Sequence, residues 1–434
     1  MRAPSEPGEM LQTDVLIAGG GMAGATLALA LARYAPTLRV TVVEAQPVSA
    51  DVQVYQPSYD ARSTALAWGT RLIYDDLGVW SRIAAHATPI RQVHVSERGR
   101  FGCSHLHAEE QGVAALGYVV DNRWLGLQLV AALQEDCPSV HWLAPATLCS
   151  AQADADGVQL ALTRNGAPCR ARCQVLVIAD GGRSGLAEQL GFVRQQREYG
   201  QHALIANVSV ARRHDFVAYE RFSAEGPIAL LPRGDAQRAG TEAALVWTLA
   251  DAAVDEVAGL DDPAFLEALQ TRFGWRLGRL QRVGERHLYP LSLSQVNEPV
   301  RPGIVLVGNA AHSLHPVAGQ GFNLAIRGLM RLTVQLIKAH QDGRSLGALE
   351  TLQPFAEAHR RDQQLTIGFS DGLIQLFGDA TPWLTGIRDA GLLGLDLLPG
   401  MRRWFARHTM GIGGRRALAE LTPWAMTESA EKSS

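Results

Sequence analysis

The run Asp14-Val-Leu-Ile-Ala-Gly19-Gly20-Gly21-Met22-Ala23-Gly24 carries most of the structural information in this chain. Asp14–Ala18 is short and apolar, as a strand buried on both faces must be. Met22–Tyr34 is an Ala/Leu-rich helix, and Arg39–Glu44 (Arg-Val-Thr-Val-Val-Glu) is a second, β-branched strand. Strand, helix and strand in so short a span form a βαβ unit, whose strands lie parallel. Between the first strand and the helix, Gly19-x-Gly21-x-x-Gly24 has the spacing of a dinucleotide fingerprint. Gly19 permits the tight turn, Gly21 lets the backbone approach a pyrophosphate, and Gly24 permits close packing of helix on strand. The free N–H groups of the helix start, at Met22 and Ala23, then face the phosphates with the helix dipole behind them. Glu44 ends the second strand about 20 residues beyond Gly24, where a carboxylate accepts hydrogen bonds from ribose hydroxyls. Its charge repels a 2′-phosphate, so NADPH is not the expected occupant. The motif alone does not separate FAD from NAD.

A second glycine-rich stretch lies far downstream: Gly303-Ile-Val-Leu-Val-Gly308-Asn309-Ala-Ala-His312-Ser-Leu-His315-Pro316-Val-Ala-Gly319-Gln320-Gly321-Phe322-Asn323. Ile304–Val307 reads as a buried strand and Phe322–Lys338 as a helix. Glycines ahead of that helix let the backbone lie against a flat ring. The helix N-terminus then directs positive charge at N1 and C2=O of an isoalloxazine, where reduced flavin is negative. Together the two loops point to FAD. A third segment, Val175-Leu-Val-Ile-Ala-Asp180-Gly181, ends a strand with a carboxylate beside a glycine. That suits a contact with a cofactor hydroxyl; a turn aspartate without a ligand is the plain alternative.

At 434 residues the chain is long enough for two or three domains. Hydrophobic residues make up 47% and charged residues 19%, an ordinary globular composition. A net charge of −3 implies no general polyanion face, so nucleic acid is not an expected partner. Of the five cysteines only Cys169 and Cys173 are close, and Cys-x3-Cys without further ligands is a poor metal motif; no metal site is expected. The odd number suggests a reduced, cytoplasmic protein. Val15–Ala32 carries no charge, but its clustered glycines and the acidic residues before it do not suit a signal peptide or membrane span.

The expected architecture is α/β: a Rossmann-like FAD-binding domain (14–200 with 290–345), interrupted by an antiparallel-sheet substrate domain (201–289), with a flexible tail at 1–13 and a helical C-terminal region at 346–434. Within the first part, Ser63–Leu77 and Trp124–Gln134 read as helices and Gln92–Ser96 and Tyr118–Val120 as strands. Val158–Leu162 and Gln174–Ala179 read as strands flanking a turn at Asn165-Gly166. The inserted part shows strands at Leu204–Val210, Ala218–Phe222, Ile228–Leu231 and Ala243–Thr248, and one helix, Pro263–Phe273.

The order of the three motifs resembles the class A flavoprotein aromatic hydroxylases, similar in fold to p-hydroxybenzoate hydroxylase. The narrower resemblance is to the ubiquinone-biosynthesis hydroxylases, most of all those acting on 2-polyprenyl-6-methoxyphenol. It is carried by Asp60-Ala-Arg62-Ser-Thr-Ala-Leu-Ala67, Leu116-Gly-Tyr-Val-Val-Asp121, Glu220-Arg-Phe222, Gly226-Pro-Ile-Ala-Leu-Leu-Pro232, Phe273-Gly-Trp-Arg276-Leu-Gly278 and His315-Pro-Val-Ala-Gly-Gln-Gly-Phe-Asn323, over roughly residues 12–420. The resemblance implies FAD, NAD(P)H as reductant, O2, and a C4a-hydroperoxyflavin that delivers one oxygen atom to a polyprenyl phenol. It implies FAD contacts at Gly308, Asn309, Pro316, Gly319, Gln320, Gly321, Phe322 and Asn323, at Arg62, at Asp180-Gly181, and at Arg123. Gly308-Asn309 departs from the family Gly-Asp; Asn keeps an acceptor for the ribityl chain. Arg327-Gly328 departs from relatives with Asp after Arg.

No Ser/His/Asp or Cys/His nucleophile pattern is present, and a flavin needs none, because the cofactor performs the hard chemistry. The protein must exclude water, orient the ring and assist phenol deprotonation. No catalytic residue stands out. His312 and His315 are candidate proton-relay members, with a structural role as the alternative, and Tyr199 and Gln201 are candidates for the substrate face. Leu397–Ala419 holds Arg402, Arg403, Arg407, Arg415, Arg416, Trp404 and Phe405 without an acid. That suits an anionic membrane surface, peripheral at the inner membrane face, or a biosynthetic complex; a solvated basic face is the alternative. Other functions compatible with these motifs are a hydroxylase of a small soluble aromatic, a flavin reductase of prenyl double bonds, and a flavin-binding scaffold.

Overall fold

The structure, a computed structural model, describes residues 10–47, 62–99, 103–223, 225–234, 240–314, 319–378 and 410–411. Its base is a six-stranded sheet in the order Val300–Arg301, Ile304–Leu306, Val175–Ile178, Val15–Ala18, Val40–Val43, Val140–Leu143, parallel except at the Val300–Arg301 edge. The central strands Val-Leu-Ile-Ala, Val-Thr-Val-Val and Val-Leu-Val-Ile are buried at every position, as parallel strands covered on both faces require. Helices Met22–Tyr34, Asn122–Asp136 and Gln320–Gln341 cover one face through Val15, Ile17, Val177 and Val305. A four-stranded sheet covers the other through Leu16, Leu176, Leu306, Leu148, Leu160 and Leu162.

The second body is a nine-stranded sheet. Its path runs His312–Ser313, His287–Val296, Arg194–Val210, Glu242–Ala250, Ile228–Arg233, Val217–Phe222, Gln92–Glu97, Cys103–His107. One pair, Val217–Phe222 with Gln92–Glu97, is parallel. Helix Asp262–Phe273 packs on the outer face through Phe265, Leu269 and Phe273. The inner face meets a small sheet of Ser63–Ala67, Gly117–Asp121 and Ala87–Ile90 at Ala218, Ile90 and Val119.

Several expectations need correction. Ser63–Ala67 is a strand, and the helix begins only at Trp68. The Ala/Leu content suggested helix, but pairing with Gly117–Asp121 overrides propensity; a Cβ at Gly117 would lie 2.5 Å from the Leu66 carbonyl. The strand after the Asn165-Gly166 turn is Ala167–Cys173, not Gln174–Ala179, which belongs to the parallel sheet. Asp251–Ala258 is a second helix beside Asp262–Phe273. Leu11 and Gln12, assigned to a loose tail, pair with Ala171 and Arg172. The C-terminal region begins as a helix, Leu349–Gly378, while the Arg/Trp/Phe stretch after Leu397 lies outside the described residues. Among the described residues, no helix is long and apolar enough to cross a membrane.

Candidate flavin site

The glycine loop sits at the C-terminal end of the Val15–Ala18 strand, where parallel sheets bind ligands. Its three signature glycines do three different things. Gly19 has φ 107°, and a Cβ there would meet the Ala179 carbonyl at 2.7 Å. That contact holds the first loop against the end of the Asp180 strand. A Cβ on Gly24 would lie 1.9 Å from the Gly19 carbonyl, so this glycine alone lets the helix close on the turn. Gly21 is the reverse case: a Cβ there meets no protein atom within 4 Å. Gly21 is also the N-cap, and no side chain caps the helix. Uncapped N–H groups beside open space fit a pyrophosphate.

Glu44 turns back to the loop. Its Oε2 accepts from Gly20 N–H at 2.8 Å and its Oε1 from Gln46 N–H at 2.9 Å. The carboxylate therefore shapes the glycine turn. Trp142 supports the loop from below, its ring 2.7 Å from where a Gly20 Cβ would stand. No local pattern marks it, because it comes from the Val140–Leu143 strand, about 120 residues further along the chain.

The Asp180 and Gly308 motifs are neighbours. Asp180 Oδ1 accepts from Gly182 N–H at 2.8 Å, while Oδ2 accepts from the Ser184 N–H and hydroxyl. The aspartate caps its own turn, which places Gly181 at φ 73°. Gly308, with φ 58°, packs on Ala23 of the first helix. Asn309 is exposed beyond it. Arg194 joins these pieces, donating to the carbonyls of Asn309 and Ala310 and to the Ser294 hydroxyl, with its Nη2 3.1 Å from a Cβ placed on Gly182. No local pattern in the sequence marked it.

Gly319, φ 60°, caps helix Gln320–Gln341, and Gln320 is buried under it while Gly321 and Phe322 are partly exposed. Asn323 is fully engaged within the protein. Its Oδ1 accepts from Ala67 N–H and the Thr70 hydroxyl, and its Nδ2 donates to the carbonyls of Ala65 and Gly319. It ties the Gln320–Gln341 helix to the small sheet, and the bonds of its amide are taken up within the protein. Pro316 and His315 lie outside the described residues. Arg62 is exposed and donates to the Tyr289 hydroxyl, with its guanidinium 5.7 Å from that ring's centre. Arg123 is exposed one residue into a helix capped by Asp121. Tyr199 donates to Asp371 at 2.8 Å, so it binds the C-terminal helix instead of lining a substrate face.

His312 is buried, and its Nδ1 lies 3.3 Å from Nε2 of His359. The outer nitrogens of this pair, His312 Nε2 and His359 Nδ1, have no partner among the described residues. Burial pushes the His312 imidazole down to about 4, with Arg327 adding to the effect. Burial also drives His359 well below its usual range. Beside them, Arg327 and Arg331 grip Asp362 at 2.9 and 2.6 Å. Burial would raise that carboxyl, but the two guanidiniums hold it at about 2. A Cβ at Gly328 would lie 2.7 Å from the His359 ring, which explains why this chain has glycine after Arg327. On the outer face of the large sheet His94, Cys103 and His105 bring ligand atoms within 4.8 Å of one another, a grouping the cysteine spacing did not suggest. The charges of Arg276 and Arg221 bear on His94 and oppose a cation there.

The profile of the FAD binding domain family matches residues 12–366. The chain belongs to the class A FAD-dependent hydroxylase family. It is 34% identical over 399 residues to a Rhodospirillum rubrum protein named ubiquinone hydroxylase UbiL, covering 92% of this chain and 89% of that one. It is 28% identical over 403 residues to the Escherichia coli 3-demethoxyubiquinol 3-hydroxylase, covering 92% and 99%. The fold is shared with p-nitrophenol 4-monooxygenase PnpA from Pseudomonas putida, at a TM-score of 0.75 and 17% identity, covering 94% and 100%. The expected p-hydroxybenzoate hydroxylase-like fold is thus present, and the chain is an FAD-dependent monooxygenase.

Proposed function

We propose that this chain hydroxylates the aromatic ring of a polyprenylated methoxyphenol in ubiquinone biosynthesis, para to the hydroxyl. NAD(P)H is the reductant, and one oxygen atom comes from O2. The observation that carries this reading is the meeting of the Gly19–Gly24, Asp180–Gly182 and Gly308 loops at one end of the parallel sheet, in a chain whose relatives are named for ubiquinone hydroxylation. Gly19, Gly21, Met22, Ala23, Gly24 and Glu44 would hold the adenosine diphosphate part of FAD. Asp180, Gly181, Gly308, Asn309 and the Gly319–Phe322 helix start would hold the flavin part. Bound there, FAD supplies the electron transfer and oxygen activation. The protein's own share is to bind the phosphates, orient the ring and keep water from the inner face of the large sheet. We treat residues 14–200 with 290–345 as the cofactor-binding part and 201–289 as the core of the substrate part.

A deletion strain tests the step: its lipid extract should accumulate the methoxyphenol, and labelled O2 should place one atom on the ring in the restored strain. Label arriving from water would exclude the mechanism. The Escherichia coli relative's name favours one second reading, a different ring position in the same pathway. Accumulation of a differently substituted precursor would assign it. The apolar substrate also argues for contact with a membrane surface or a membrane-bound complex through Leu397–Ala419. Flotation with anionic liposomes should fall when Arg402, Arg403 and Arg407 are replaced by Ala. Equal flotation of parent and variant would exclude that stretch.

A further inference from the structure

Strand alternation sorts the side chains of the nine-stranded sheet onto two faces. Tyr219 faces outward: its ring lies 5.9 Å from that of Phe273 and packs with the helix-covered cluster. Its neighbour Ala218 faces inward, against Ile90 and Val119 of the small sheet. Glu220 therefore shares the inner face with Ala218. The register places Glu220 in a lateral row that reads Ile205, Val246, Ala229, Glu220, Val95. All five are only partly buried. The same face carries Tyr289, opposite Ala203, and with it Arg62. The result is a half-covered aliphatic row with one carboxylate, Glu220, within it. It opens toward the small sheet that Asn323 ties to the flavin helix.

We propose that Glu220 accepts the phenolic proton of the substrate while the ring lies against this aliphatic row. The proposal deepens the hydroxylase reading and rests on it. The phenol O–H bond breaks, its electron pair stays on the ring oxygen, and the proton forms the carboxyl O–H. No electrons are gained or lost, and the substrate itself is the co-reactant. A developing phenolate pushes electron density to the para carbon. Burial alone raises the Glu220 carboxyl to about 7, the range in which a general base works best at neutral pH. The charged and titratable groups that the register puts on this face are Glu97, opposite Phe222 on the neighbouring strand, His287, opposite Ile205 and beside Glu285, and Arg233, which pairs with Asp121 and Glu242. From the small sheet, Asp121 is the charged group that faces this side.

The test uses the FAD-loaded enzyme, 2-methoxy-6-prenylphenol as probe, and the methyl ether of that phenol as control. Binding is read from the perturbation of the flavin absorbance, and flavin content reports folding. At pH 8 the parent should bind the phenol about tenfold or more tightly than the ether, because the carboxylate accepts a charged-acceptor hydrogen bond. That preference should shrink as pH falls through 7. In Glu220→Gln the pH dependence should be lost and the preference should fall to the roughly few-fold value of a neutral amide acceptor. Its kcat/KM should fall about 100-fold or more, without the acidic limb seen in the parent. Glu220→Asp should restore part of both. Equal discrimination and an unchanged pH profile in Glu220→Gln would overturn the proposal and leave the hydroxylase reading intact. If the glutamine variant loses its flavin, the parent alone still decides: no change of discrimination between pH 6 and 8 overturns the proposal. A parent that neither binds nor hydroxylates the phenol sinks the hydroxylase reading, and this inference with it.

Discussion

Two glycines three positions apart in the same loop have opposite sensitivities. Gly21 has room for a side chain as far as the protein is concerned, at an ordinary φ of −65°, while a Cβ on Gly24 runs into the Gly19 carbonyl. Gly21→Val should therefore give a folded, normally melting protein without FAD. Gly24→Val should lower the melting temperature or abolish soluble expression. Paired thermal melts and flavin absorbance check this, and full flavin occupancy in Gly21→Val would show that the phosphates lie elsewhere. Glu44→Ala belongs between the two. It removes the acceptor of the Gly20 and Gln46 N–H groups and, on the flavin reading, a charged-acceptor bond to the ribose of about 1.5–3 kcal/mol. FAD affinity should drop about 10- to 100-fold with the fold retained. A titration of the apoprotein with FAD reads it, and unchanged affinity would limit Glu44 to a minor role.

At the scale of elements, the helix carrying Arg327 and the C-terminal helix meet through one absent side chain. His359 fills the space that a Cβ at Gly328 would take. Gly328→Ala should cost about 1–3 kcal/mol by overpacking. His359→Ala should relieve it, so the double variant should be more stable than the sum of the two single changes. Strict additivity in urea melts would show that the two positions do not share the space. This pair also marks the limit of what the sequence reveals. The buried strands, the first helix and the glycine loop are legible because period and motif are local. Gly328 was visible as an oddity without a cause, since its reason sits on another helix. Arg194 gave no signal, and Glu220 stood out only as part of the Glu220-Arg-Phe222 resemblance without a role, for the same reason: what each does depends on sheet register, set by residues far along the chain. Ser63–Ala67 misled because its composition favours a helix while its partner strand dictates otherwise.

The whole molecule should lose stability as pH falls from about 6.5 toward 4. The unfolded chain binds protons at its histidines in that window. In the folded chain His312 and His94 stay neutral down to about 4, and His359 is held well below its usual range. More protons on the unfolded state means stability rises with pH there, by about 3 kcal/mol for each fully buried imidazole over the whole window. Asp362, held at about 2, adds a further loss only below its unfolded value of 3.8. Glu220 works in the opposite sense: its proton is kept up to about 7, so its share of stability declines between about 4.5 and 7. The histidines outnumber it. The melting temperature should climb between pH 5 and 6.5, and His312→Gln should flatten the climb. A flat profile in the parent would contradict the burial of these rings.

The order of strands in the parallel sheet also bears on how the protein is made. Val15–Ala18 is synthesised before the other strands of this sheet, yet its neighbour on one side is Val175–Ile178, and the next strand out is Ile304–Leu306. The large sheet waits in the same way, with Gln92–Glu97 pairing to Val217–Phe222. These are contacts of high sequence separation, which form late and slowly. On the proposed flavin site, cofactor binding must wait until Gly308 and the Gly319 helix cap have been synthesised, far downstream of the first glycine loop. Nascent chains must hold open strand edges until then, a state prone to aggregation. Cells short of flavin should consequently lose this protein at the stage of new synthesis, through chaperone overload and proteolysis, before any mature enzyme is affected.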